Sequence, residues 1–207
     1  MGSGRKWLFG CLGVSAGSAL LCCCGAGIGT WYLPEIVVAL ATSDAPLDIE
    51  ATPYDPARQE ALKEELRATL DREGTVRLDA PTLNILLAPE ADGRIRVAMA
   101  GGTGTFDASI PTDGSAWLNV HVQGTFVMEH GWVQSATIDE LTLSDMDFGG
   151  FMAGQNVAPQ FNKSLSDQRI QNPDLAAMLD STDRVAIEDG VLVVTLDREH
   201  MPAPSVP

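Results

Sequence analysis

Cysteine is nearly confined to one place in this chain. All four cysteines, Cys11, Cys22, Cys23 and Cys24, fall within the first 24 of 207 residues. The remainder can form no disulfide and offers neither a thiol nucleophile nor a thiolate metal site. Histidine is scarce as well: His121, His130 and His200 are the full set, and none sits in a His-Glu-x-x-His pattern or another metal-ligand spacing. Basic residues are outnumbered, 13 against 28 acidic, for a formal net charge of −15. With Arg5 and Lys6 set aside, 11 basic residues remain against the same 28, about −17. Such a surface repels phosphate backbones and anionic lipid headgroups, so nucleic acid is excluded as a partner. No phosphate-loop lysine is present. We therefore assign no catalytic, cofactor-binding or metal-ligating residue, and no cofactor.

What the chain does have is a long uncharged run. Residues 7–33 contain no Asp, Glu, Lys or Arg. As a helix, residues 8–30 span roughly 35 Å at ~1.5 Å per residue, enough to cross a bilayer's hydrocarbon core. Trp7 stands at one end and Trp31 with Tyr32 at the other, as an aromatic belt requires. Arg5 and Lys6 precede the run, which keeps residues 1–6 cytoplasmic and exports the chain beyond the run. This predicts a single-pass transmembrane helix over 7–33 and a location at the cell membrane. The rival reading is a signal peptide cleaved near Ala41, after Ala39-Leu40-Ala41. Cys22, Cys23 and Cys24 fan around the helix and cannot converge on zinc, so they read as small apolar residues packed in lipid. Gly13, Gly17, Gly25 and Gly29 lie on one ridge, the spacing of a transmembrane dimer interface.

The exported part reads as a juxtamembrane stem over 34–54, one domain over 55–198 and a tail over 199–207. Residues 55–74 carry the signals of a helix, with Asp55 as N-cap, Pro56 in the first turn and Gly74 as stop. Its apolar face is Ala57, Ala61, Leu62, Leu66, Thr69 and Leu70. A short strand over 75–78 leads to a helical turn bearing Leu83, Leu86 and Leu87. The period then changes to two. Ile95, Val97 and Met99, then Phe106, Ala108 and Ile110, alternate with polar residues. Leu118, Val120, Val122, Phe126 and Met128 oppose Asn119, His121, Gln123 and Thr125 along the longest strand. His130 with Gly131, and Asp189 with Gly190, predict two-residue hairpin turns. Phase shifts after Val133 predict bulges. Residues 147–170 read as a helix broken near Pro159, with Phe151, Ala158, Phe161 and Leu165 inward. Asn172 and Pro173 start another. The fold class expected is α+β: a transmembrane helix, then about seven mostly antiparallel, twisted strands with helices on one face.

Several motifs invite chemistry and fall short of it. The glycine-rich "GGTGTF" at 101–106 opens a strand and reads as a turn. "DMDFGG" at 145–150 starts like a calcium loop but has Asn156 where a bidentate Glu belongs. Asn162-Lys163-Ser164 is a glycosylation sequon. Trp117, a large aromatic on the polar face of its strand, suggests a binding surface.

The order "VRLDAPTLNILL", a β-meander ending "IDELTLSDMDFGGF", a helix and "VAIEDGVLVVTL" resembles the YpmS-like bacterial membrane-anchored extracytoplasmic proteins, over roughly residues 75–197. The resemblance implies a cell-envelope protein and carries over no catalytic residue. Two functions remain: a non-catalytic envelope module binding a lipid or protein partner in a groove between sheet and helices, or an extracytoplasmic hydrolase using a carboxylate pair.

Overall fold

A computed structural model describes residues 42–89, 92–112, 116–148, 150 and 153–197. Their elements run α1 (Pro56–Glu73), β1 (Thr75–Leu78), α2 (Ala80–Leu87), β2 (Arg94–Ala100), β3 (Thr103–Pro111), β4 (Trp117–Glu129), β5 (Trp132–Leu143), β6 (Met146–Asp147), β7 (Gln155–Asn156), α3 (Ala158–Gln171), α4 (Pro173–Asp180), β8 (Thr182–Glu188) and β9 (Val191–Leu196).

All nine strands belong to one sheet, and every pairing between them is antiparallel. The long strand β4 is its spine. Along one edge β4 pairs first with β3, over Trp117 to Thr125, and then with β8, over Val127 to Glu129. Its other edge carries β5. The β2–β3 and β9–β8 hairpins thus abut along β4, and their tips meet where the Gly190 N–H donates to the Gly101 carbonyl at 2.8 Å. Two register shifts in the β4–β5 pair, at Gln123/Gly124 and Val127/Met128, are the expected bulges. At the first, Thr137 crowds β4 so closely that a side-chain methyl at position 124 would overlap its carbonyl oxygen. Only glycine fits there.

One face of the sheet holds the core. Val97, Phe106, Val120, Val122, Phe126, Met128, Val185, Leu192 and Val194 meet Leu70, Leu83 and Leu87 of α1 and α2, and Phe161, Met178 and Leu179 of α3 and α4. Both hairpin turns have the positive φ angles of type I′: 48° and 72° at His130 and Gly131, 51° and 79° at Asp189 and Gly190. Asp55, Asp79 and Asn172 cap α1, α2 and α4 through their side chains.

The expected architecture needs correction. The sheet has nine strands rather than about seven, because β6 and β7 are two residues each and too short to show a period. Among the described residues no helix is long and apolar enough to cross a membrane. The transmembrane helix over 7–33, its glycine ridge, the cysteines, the cleavage site near Ala41, Phe151 and the tail lie outside the described residues. Pro159 does not break a helix. It sits in the first turn of α3, where its missing N–H is no loss, and the Asn156 side chain accepts from the Ala158 N–H at 3.1 Å just before it. On α1 the buried face is rotated from expectation, with Ala57 and Ala61 exposed and Gln59 buried. Ile110, expected inward, is 47% exposed where β3 leaves the core.

Residues 42–49, within the segment read as a stem, lie along the sheet as a strap that bends at Asp44 and Ala45. Ser43 and Trp117 exchange two backbone hydrogen bonds of 2.8 Å each.

Candidate functional site

The polar face of β2–β5 carries a ladder of charge that strand register assembles. Arg96 stands opposite Asp107 in the β2–β3 pair, and Asp107 opposite His121 in the β3–β4 pair. Arg96 donates from Nε at 3.1 Å and from Nη2 at 2.7 Å to Asp107 Oδ2. His121 Nδ1 lies 2.6 Å from the other carboxylate oxygen, Oδ1. Across β4, His121 Nε2 faces Glu140 Oε2 of β5 at 3.4 Å. Asp107 is buried, whereas Glu140 and Arg96 are exposed and His121 is partly so. A buried carboxylate is tolerated when its lone pairs are occupied by donors, and here both oxygens are.

One step along the same strands is an uncharged cluster. Ser109 is fully buried and donates to Asn119 Oδ1. Ser109 Oγ also accepts from the Leu47 N–H at 3.2 Å, and Asn119 Nδ2 donates to the Ala45 carbonyl at 3.0 Å. Ser144 Oγ accepts from the Asn119 N–H at 3.3 Å. Arg94 Nη1 reaches the Leu47 carbonyl at 3.2 Å. The strap therefore roofs this cluster.

Asp107, His121 and Ser109 are the residue types of a nucleophilic triad, and register places them within one two-by-two patch. The geometry does not complete it. The aspartate holds Nδ1, as a triad requires, but Nε2 faces Glu140 on β5 while Ser109 lies on β3 and is engaged with Asn119 and Leu47. Asp107 and Glu140 flank His121, one on each ring nitrogen.

The other motifs resolve into structure. The "DMDFGG" stretch enters β6, where Asp147 pairs with Thr142 of β5. Among the described residues no group of three or more His, Cys, Asp or Glu side chains is placed to hold a metal ion. Gly101 and Gly102 form the turn between β2 and β3. His130 is exposed in its turn, 3.4 Å from Asp183, and His200 lies outside the described residues. Trp117 is half-buried and tied to Ser43. Asn162 of the sequon is bonded at both ends of its amide to Val133, receiving its N–H at 2.8 Å and donating to its carbonyl at 2.8 Å.

Between the sheet and α3 lies an apolar cavity lined by Phe106, Phe126, Ile138, Val157, Phe161 and Ile187, of about 20 Å³. That admits little more than one water.

No family model, no curated protein and no solved structure matches this chain. The likeness to YpmS-like proteins stands on its motifs alone.

Proposed function

We propose that this protein is a non-catalytic binding module whose ligand is a protein partner. The observation that carries the reading is the saturation of Asp107. Its two oxygens are taken by Arg96 and His121, and the free nitrogen of His121 faces only Glu140. A hydroxyl nucleophile needs an adjacent base, and Ser109 is engaged by Asn119 and Leu47 instead of His121. The apolar cavity beneath α3, about 20 Å³, is too small to take a lipid chain.

Native mass spectrometry of the full-length chain, extracted gently from its source, tests the reading. A co-purifying polypeptide at fixed stoichiometry is the expected result; a retained lipid, or the bare chain alone, overturns it. The rival hydrolase would have to use Asp107 and Glu140. Hydrolytic activity abolished by both Asp107→Asn and Glu140→Gln in folded protein would establish that reading in its place.

A further inference from the structure

The contacts between the strap and the sheet share one property: these hydrogen bonds end on the strap's main chain. Ser43 offers its N–H and carbonyl to Trp117. Ala45 offers its carbonyl to Asn119. Leu47 offers its N–H to Ser109 and its carbonyl to Arg94. The chain bends at Asp44 and Ala45, and from Ala45 onward the gripped residues alternate, the period of an extended chain lying on a surface. Ile49, next in that series, is buried. Pro46, which has no N–H to give, falls between two of the gripped positions. On the sheet side, Ser109 and Asn119 are buried polar groups that direct a hydroxyl oxygen and an amide N–H to the strap.

Recognition through the main chain at every second residue is how proteins hold extended peptides with little regard to sequence. We infer that the outer face of β3 and β4, with Arg94 at its border, is a binding site for an extended peptide, which the chain fills with its own residues 43–49. The ligand class is an extended segment of a partner protein, with N–H groups free at the positions equivalent to Ser43 and Leu47. This rests on the binding-module reading and gives that module its site. The tethered strap is the site's internal competitor. A short tether holds it at an effective concentration in the millimolar range, so a free peptide must exceed that to enter.

The test uses the full-length chain carrying Ser43→Pro and Leu47→Pro, which removes both strap N–H donors and leaves the sheet untouched. A fluorescein-labelled peptide of residues 42–50 is titrated and its polarisation read. The variant should bind it saturably, at least tenfold more tightly than wild type. Methylating the peptide nitrogen at Leu47 should weaken binding by about tenfold or more, whereas replacing the side chains of Asp44 and Asp48 should change it less than threefold. Arg94→Ala, at a partly exposed position where folding is not at risk, should weaken it several-fold. Absence of saturable binding at millimolar peptide, or binding indifferent to the N-methyl group, overturns the inference. Either result leaves the binding-module reading to be judged by the partner found in native mass spectrometry.

Discussion

Asn162→Ala should be among the most damaging single substitutions of a half-buried polar residue in this fold. The Asn162 amide completes the ladder of β5 at Val133, accepting its N–H and donating to its carbonyl, each at 2.8 Å. Val133 is only 3% exposed. Truncation removes two hydrogen bonds of about 1 kcal/mol each and strands two buried backbone groups, at roughly 1–3 kcal/mol apiece if nothing replaces the amide. Asn162 is itself half-buried, so water can enter the vacated space and recover part of this. The expected loss is about 2–4 kcal/mol, a large share of the ~5–15 kcal/mol that holds a domain together. For a domain of this size that lowers Tm by roughly 4–16 °C, measured by circular dichroism in matched buffers. Asn162→Asp sharpens the test. Its carboxylate still accepts the Val133 N–H but opposes the Val133 carbonyl, so it should be at least as destabilising as alanine at neutral pH. Opposition of that kind raises the new carboxyl's pKa in the folded state, and the deficit should shrink as pH falls towards about 4, where the protonated acid again offers a donor. A Tm within 1 °C of wild type for Asn162→Ala would refute the reasoning.

Gly190→Val should cost about 1–3 kcal/mol, because φ is 79° there and a β-branched residue is strained in that region; an unchanged urea midpoint would contradict it. Asp79, capping α2, has its carboxyl held below the usual carboxylate range, chiefly by hydrogen bonding to the Thr82 side chain and also to the Thr82 backbone. Its contribution is therefore present above the unfolded-state pKa of about 4 and lost as pH falls through the lowered folded value; Asp79→Ala should destabilise by about 1 kcal/mol at pH 7 and by less at pH 2, and an equal effect at both would refute the assignment. Asn162 should also remain unmodified in a eukaryotic secretory host despite its sequon, since Nδ2 is committed to Val133; a glycan on folded protein, seen by intact mass, would show that contact to be dispensable.

Elements whose signal is local were legible in the sequence. The Asp55 and Asn172 caps, the Gly74 stop, both type I′ turns and the alternation of β3 and β4 each rest on a few adjacent residues with one physical meaning. What escaped depends on residues far apart in the chain. His121 reads as a surface histidine because Asp107 and Glu140 reach it only through strand register, over 14 and 19 positions. Gln59 reads as solvated, yet its amide donates at 2.8 and 3.1 Å to the carbonyls of Ile85 and Ala88, near the end of α2 where the helix leaves such groups unpaired. The strap reads as a stem because Pro, Ser and Asp give it no period, and because its partners are 47 to 74 residues away. Ser109 and Asn119 look like outward positions of ordinary strands, yet both are buried and bonded to the strap.

The amides at Asn84 and Asn162 perform the same task at two places on the sheet. Asn84 of α2 accepts the Val97 N–H at 2.6 Å and donates to the Val97 carbonyl at 2.9 Å, as Asn162 of α3 does for Val133. Each amide stands where a neighbouring strand's peptide group would be, on β2 and on β5. Strands β2 and β5 are three strand spacings apart, about 14 Å, so the two clamps should contribute additively. Apolar packing alone would let α2 and α3 slide along the sheet, since dispersion has little direction. A two-point hydrogen bond at a fixed residue removes that freedom and also denies the exposed ladder to a foreign strand, the usual hazard of a sheet edge. With Val97 and Val133 occupied, an extended peptide finds its backbone partners on the outer face instead. There the relation is reversed, and side chains of the sheet grip the main chain of the strap.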